Sequence, residues 1–365
     1  MAQTTDDSHP LAAALRLLGR SREARARLVA ALRDLEPLLA EPGLDVRRQI
    51  TGPLVDAMHD EGEHIDIRLE SGLAFTALYT SSHITRDLVL RAVEEPDHVF
   101  EPQTTKTLLS LARNARHVLI GGAYSGDHAV PIAAVIAANG GIVHAFEPNP
   151  AQQAILRKNA AANGLTNIEP VALGLWDEPS ARLSFVGTDA LASTRFDPEG
   201  AIDVTTIDDY CARAGIDALD LIMLDIEGSE MQALRGARAM LSRERAPAVV
   251  FEMNRQYVDW SNGLRRTTIG GYLDELGYEL YGIRDYQSHV AMPGHPVELV
   301  PADTAYLEGP QHGFNMLAVR DPSIVTSNSL FRIVPDVSPK LLFHRDPALH
   351  APRFTSGADT RPDRR

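Results

Sequence analysis

Three acidic residues stand where strand-like apolar runs end. Asp225 and Glu227 follow the apolar run 221–224, and Glu252 follows Ala-Val-Val-Phe at 248–251. In an open α/β sheet, ligands gather at the carboxyl ends of strands, so these acids are expected to converge on one site. A carboxylate placed there can take the proton of a reacting hydroxyl. Asp225 and Glu252, with Asn254, also offer hard oxygen ligands of the kind Mg²⁺ takes, and a cation would acidify and orient a hydroxyl. A blander role is available too, because Asp225-Ile226-Glu227-Gly228-Ser229 precedes a helix and acids favour helix starts.

A second constellation lies upstream. An apolar strand at 118–120 runs into Gly121-Gly122-Ala123-Tyr124-Ser125-Gly126 and then a helix. Glycines there let the backbone turn sharply and approach a ligand closely. The next strand, 142–146, ends in Glu147, which lies 21 residues after Gly126. That is the spacing at which an acid reaches a ribose hydroxyl pair. Strand, glycine turn, helix, strand and acid together read as an adenosine half-site. A nicotinamide dinucleotide would need the G-x-G-x-x-G pattern and bare backbone N–H groups for its pyrophosphate. Tyr124 breaks that pattern, whereas S-adenosylmethionine, with a sulfonium and an amino-acid tail, tolerates bulk there.

The elements that must position these residues follow from periodicity. Residues 11–40 predict two short helices, the first stopped by Gly19 and the second capped by Ser21. From Ile65 the period becomes two about Ser71-Gly72, a hairpin signal, and a helix is expected over 85–93. Beyond residue 100, strands and helices alternate, which predicts an α/β fold with a mostly parallel sheet. Strands are expected at 118–120, 142–146, 167–173, 221–225, 248–253, 279–283 and 316–320. The chain divides on this reading into an accessory region at 1–100, with a possible dimer contact, a catalytic domain at 101–320 and a loosely ordered extension at 321–365.

At this point several runs resemble a known family. VLIGGAYSGDHAVPIA, HAFEPNP, VALG, TTIDDY and above all DLIMLDIEGSEMQALRGA are similar to the FkbM-type methyltransferases over residues 100–320. The resemblance implies a class I methyltransferase fold, Rossmann-like, with a seven-stranded sheet whose last strand is antiparallel. It also implies S-adenosylmethionine and methylation of hydroxyls on sugars, polyketides or other natural-product intermediates. Gly122, Ala123 and Gly126 then match the glycine turn, with Tyr124 and Ser125 inside it. Glu147 matches the ribose acid, and Ala172 and Leu173 match the segment beside adenine. Asp225, Glu227 and Glu252 match the acids expected to be catalytic. The family's usual acid before the glycine turn is Ile120 here, leaving Asp127 or Glu101 to meet the cofactor's ammonium. Its usual lysine is Met223.

The long segment 284–314 reads as a substrate lid holding His289, His295 and His312, any of which could serve as base. The stretch 255–266, with Gln256, Tyr257 and Trp260, is expected to face substrate or to pack. Composition narrows the partners. The net charge is −14 and only 3 of 35 basic residues are lysine, which argues against tracking a phosphate backbone. Cys211 is the single cysteine, as suits a reducing compartment, and no apolar run is long enough for a membrane span. The expectation is a cytoplasmic O-methyltransferase of a small-molecule acceptor, without nucleic acid or membrane as partner. An N-methyltransferase of an amino sugar or amino acid, and a non-catalytic S-adenosylmethionine-binding protein, are the alternatives.

Overall fold

Nine strands form the central sheet of the computed structural model. It describes residues 10–39, 44, 46–80, 83–91, 94–187, 193–286, 292, 294–307 and 313–341. In space the strands run Phe331–Ile333, Val297–Pro301, Glu279–Ile283, Phe314–Val319, Ala248–Met253, Leu221–Leu224, His117–Gly121, Ile142–Phe146, Ile168–Val171. The five from Ala248–Met253 to Ile168–Val171 are mutually parallel. Phe314–Val319 is antiparallel to both its neighbours. The strands are buried on both faces: Leu119, Ile222, Val249 and Phe251 belong to one core, Val118, Ile120, Met223 and Val250 to the other. Such continuous apolar runs are what a sheet covered by helices on both sides requires.

Seven strands were expected, and two more are present. Val297–Pro301 pairs antiparallel with Glu279–Ile283, and Phe331–Ile333 pairs parallel with Val297–Pro301. The expected lid at 284–314 therefore contributes a sheet strand, with Val297, Leu299 and Val300 fully buried. Buried Glu298, in the same strand, takes ion pairs from Arg284 and Arg332. The extension after 321 supplies an edge strand, and its residues beyond 341 lie outside the described ones. A separate four-stranded sheet, made of Gly174–Leu175, Ile202–Thr205, Arg182–Val186 and Ser193–Phe196, was also unforeseen.

The first hundred residues hold the expected helix pair and hairpin. Helix Arg22–Leu35 is capped by Ser21, whose hydroxyl accepts from the Ala24 N–H at 3.3 Å. Leu15, Val29 and Leu32 pack with Val55, Met58, Tyr79 and Leu90. Strands His64–Arg68 and Ala74–Leu78 pair about Gly72, whose φ of 85° needs no Cβ. Two asparagines on helix Pro150–Ala162 and at its end then clamp this hairpin. Asn163 accepts from Ala74 N–H and donates to Ala74 O. Asn159 does the same to Thr76 and donates again to Ser125 O, at 2.8–2.9 Å. The accessory hairpin is thereby tied to the glycine turn.

Candidate active site

Strand His117–Gly121 delivers the chain to a turn that alternates unusual backbone angles: Gly122 at φ 77°, Tyr124 at φ 45° and Gly126 at φ 93°. Gly122 is irreplaceable on steric grounds, because a Cβ there would sit 1.8 Å from the Asp225 carbonyl oxygen. The turn thus lies directly against the end of strand Leu221–Leu224. Tyr124 bears a side chain in left-handed backbone, a conformation that costs roughly 1–2 kcal/mol. It is held there by Glu147, whose Oε2 accepts the Tyr124 N–H at 2.9 Å. The other oxygen, Oε1, accepts from Asn149 N–H at 2.7 Å. Burial pushes the Glu147 carboxyl up to about 7, although both backbone N–H groups act in the other direction. Each oxygen keeps a further lone pair for a ligand hydroxyl.

Around this turn lie the other residues singled out in the sequence. Ala172 and Leu173 follow strand Ile168–Val171, whose last carbonyl accepts the Glu147 N–H. Ser125 is fully buried and its hydroxyl lacks a hydrogen-bond partner among the described residues. Asp127 is buried and displaced upward by that burial. His128 stands 3.5 Å from Asp127 and 3.9 Å from Glu101. Glu101 occupies left-handed backbone at φ 43°, at the start of helix Pro102–Ala112.

The three acids at the strand ends do converge. Asp225, Glu227 and Glu252 each present a carboxylate oxygen within 4.8 Å of the others. Burial, then Glu252 and Glu101, hold the Asp225 carboxyl well above the ordinary range. Glu252 is raised by burial and then by Glu227 and Glu230. Glu227 lies at φ 50°. Burial lifts its carboxyl, opposed by a hydrogen bond from the Tyr257 hydroxyl.

The capping role considered for Asp225 and Glu227 is not taken up: Ser229, the N-cap of the following helix, has no side-chain cap hydrogen bond among the described residues. Glu230, buried in the first turn of helix Glu230–Arg235, folds back to accept the N–H groups of Ile226 and Gly228 at 2.9 and 3.1 Å. Its carboxyl is pushed up to about 7, mainly by burial. The pair the sequence could have reserved for capping is left facing the site.

Four participants went unnoticed in the sequence. Besides Glu230, Asn315 lies opposite Glu252 across the strand pair and donates to Glu101 at 2.6 Å and to Thr104 at 3.0 Å. One polar residue inside the buried run Phe-Asn-Met-Leu-Ala-Val was a legible signal. His128 follows Asp127. The hairpin carrying Ser193 and Thr194 reaches the site through Ser193–Tyr257 and Thr194–Ser229 hydroxyl contacts, the latter 2.9 Å. Trp260, by contrast, packs against Phe314 at 5.4 Å and belongs to the core. His295 is exposed beside a sheet strand, while His289 and His312 lie outside the described residues.

Over 51 residues the chain is 33% identical to the 2-O-methyltransferase NoeI of Sinorhizobium fredii (strain NBRC 101917 / NGR234), a stretch covering 14% of this chain and 21% of that protein. The match spans about a fifth of that relative's length. Among solved structures, methyltransferase FkbM from Methylobacillus flagellatus KT is 19% identical, covering 56% of this chain and 44% of its own, with TM-score 0.34. A SAM-dependent methyltransferase from Agrobacterium tumefaciens is 14% identical, covering 72% of each chain, with TM-score 0.39. No helix among the described residues is long and apolar enough to cross a membrane. Residues 121–280 match the family model described as the methyltransferase FkbM domain, and the chain carries a methyltransferase domain of the FkbM type.

Proposed function

We propose that this protein is a cytoplasmic O-methyltransferase that uses S-adenosylmethionine to methylate a hydroxyl of a small molecule. One observation carries the reading: the carboxylates of Asp225, Glu227 and Glu252 converge beside a glycine turn whose Tyr124 N–H is held by the buried acid Glu147. The sequence stretch shared with a 2-O-methyltransferase supports oxygen as the acceptor atom. A sugar, polyketide or phenolic intermediate is the acceptor class this reading favours.

The donor set fits the cofactor. Glu147 would hold the ribose, the 172–173 segment would border the adenine, and Glu101 or Asp127 would meet the ammonium. When bound, S-adenosylmethionine supplies an electrophilic methyl on a sulfonium that leaves as a neutral thioether. The chain's residues then align the acceptor oxygen with that methyl. The hydroxyl proton passes to a carboxylate of the trio as the new carbon–oxygen bond forms, and leaves it for solvent afterwards. Burial and mutual repulsion raise Asp225 and Glu252, making them stronger bases than an exposed carboxylate. Tyr257, hydrogen-bonded to Glu227, fixes the loop between strand Leu221–Leu224 and helix Glu230–Arg235.

Incubation with S-adenosylmethionine labelled in its methyl group and a panel of hydroxylated and amino acceptors, read by mass spectrometry, tests the proposal. Label on an acceptor oxygen is the expected result. Label on nitrogen alone would refute oxygen specificity, and absence of heat on calorimetry with S-adenosylhomocysteine would refute the cofactor site.

A further inference from the structure

The acid cluster has a composition that methyl transfer alone does not explain. Around Asp225, Glu227 and Glu252 nearly every polar group is an acceptor. Among the described residues no lysine or arginine forms an ion pair with any of the three. The donors that reach them are neutral: Asn254 toward Glu252 at 3.3 Å, and the Tyr257 hydroxyl toward Glu227. Glu101 and Glu230 add further negative charge nearby.

An independent feature points the same way. Asn315 is 4% exposed, and its Oδ1 is buried without a hydrogen-bond partner among the described residues. Its Nδ2 is committed to Glu101 and Thr104, so the amide cannot rotate to give this oxygen a donor. Asn315 opposes Glu252 in the antiparallel pair Ala248–Met253 and Phe314–Val319. Opposed residues emerge on one face of a sheet with Cβ atoms about 4.5–5.5 Å apart. The orphaned oxygen therefore lies on the Glu252 side of the sheet, beside the acid cluster. Glu252 has a buried, unpartnered oxygen of its own, Oε2. Leaving such atoms unsatisfied is costly unless a donor or a cation completes them.

We propose that Asp225, Glu227 and Glu252 together bind a hard divalent cation of the Mg²⁺ or Mn²⁺ class, with the Asn315 amide oxygen as an outer partner. Oxygens within 4.8 Å of one another close onto one ion with a small side-chain shift, because Mg²⁺ holds oxygen ligands at about 2.0–2.1 Å. Three protein ligands leave coordination positions for water and for oxygens of the acceptor. An acceptor presenting two neighbouring oxygens, as in a vicinal diol, would chelate the ion, which would acidify the hydroxyl to be methylated. Each carboxylate uses one oxygen on the ion and keeps the other to receive the proton. The consequence for catalysis rests on the function proposed above; ion binding itself does not.

The test uses the full chain, stripped of metal with chelator and titrated with MnCl₂, the free ion being followed by electron paramagnetic resonance. One Mn²⁺ per chain is expected, displaced by excess Mg²⁺. Asp225→Asn and Glu252→Gln are expected to weaken uptake at least about tenfold, while Glu147→Gln binds as the parent does. Melting curves in chelator separate lost binding from lost folding, and Glu227→Gln, on the loop, repeats the test if either buried variant melts early. A free-ion signal undiminished by protein, or variants that take up Mn²⁺ like the parent, would overturn the inference. Calorimetry with S-adenosylhomocysteine in chelator distinguishes the two readings. Heat there without Mn²⁺ uptake removes the ion and keeps the methyltransferase; Mn²⁺ uptake without that heat does the reverse.

Discussion

Lowering the pH should switch off cofactor binding through Glu147. The carboxyl is buried and its pKa stands at about 7, against an ordinary value of 4.5. A ribose hydroxyl pair donates to the ionised form, so only that form binds well. The competent fraction of the free protein then sets the apparent affinity. It falls from about nine-tenths near pH 8 to about one-tenth near pH 6 and about one-hundredth near pH 5. S-adenosylhomocysteine affinity, measured by calorimetry, is therefore expected to drop about tenfold and then about a hundredfold over that series. Stability of the free protein follows the opposite course. In the folded state Glu147 holds its proton more tightly than in the unfolded chain between pH 4.5 and about 7. Stability is thus greatest below that window and lost as pH rises through it, by on the order of 3 kcal/mol. Glu147→Gln removes both dependences. At about pH 8 it should also weaken the ligand by roughly 1.5–3 kcal/mol, the worth of a hydrogen bond to a charged group. A flat affinity profile in the parent, or an unchanged slope in Glu147→Gln, would refute the ribose assignment.

Other substitutions separate binding from chemistry. Asp225→Asn and Glu252→Gln should leave S-adenosylhomocysteine affinity within a few fold and slow methyl transfer by about 10²–10⁴, read as kcat at saturating donor. Gly122→Ala would drive a methyl to within 1.8 Å of the Asp225 carbonyl at φ 77°. It should cost about 1–3 kcal/mol in a denaturant melt and weaken cofactor binding, since turn and strand end must part. Asn159→Ala loses one acceptor and two donor contacts linking hairpin, helix and Ser125. Each unsatisfied partner costs about 1–3 kcal/mol, and affinity for S-adenosylhomocysteine should fall too. Asn163→Ala, which touches only the hairpin and its own helix, should destabilise without that second effect.

Much of this architecture was written in short-range patterns. Glycine spacing at 121–126 and apolar runs ending in Glu147, Asp225 and Glu252 were legible because sheet, turn and site obey one local rule: functional groups follow strands. The strands at Val297–Pro301 and Phe331–Ile333 were not. Their burial depends on the neighbouring strand Glu279–Ile283, and the prolines at 296 and 301 resemble loop punctuation. The paired strands Arg182–Val186 and Ser193–Phe196 carry no clear signal for a related reason. They expose Phe185, Val186 and Phe196, so no clean alternation of buried and exposed positions marks them. Glu230 and Asn315 act on groups far away in sequence or out of periodic register, and only the folded chain shows which backbone or carboxylate they serve. Asp225 and Glu227 are a subtler case, because nothing local separates a helix-start acid from a member of a converging trio until the fold brings Glu252 beside them.

Charge also constrains what can be methylated. Burial raises Asp225, Glu227 and Glu252, Glu101 adds to each, and neighbouring carboxylates add further to Asp225 and Glu252. In a partly buried pocket, salt screens such a field far less than at the surface. With no cation bound, an acceptor carrying a phosphate or carboxylate beside its hydroxyl would enter against the ionised members of this cluster, whereas a neutral polyol would not. Like-charge juxtaposition costs several kcal/mol, so in chelator a neutral acceptor and its phosphorylated counterpart should differ by at least about a hundredfold in kcat/KM. The difference should persist at high salt, because it originates inside the pocket. Equal turnover of the two, or a preference erased by salt, would mean that the acceptor is read from the surface and never meets the three carboxylates.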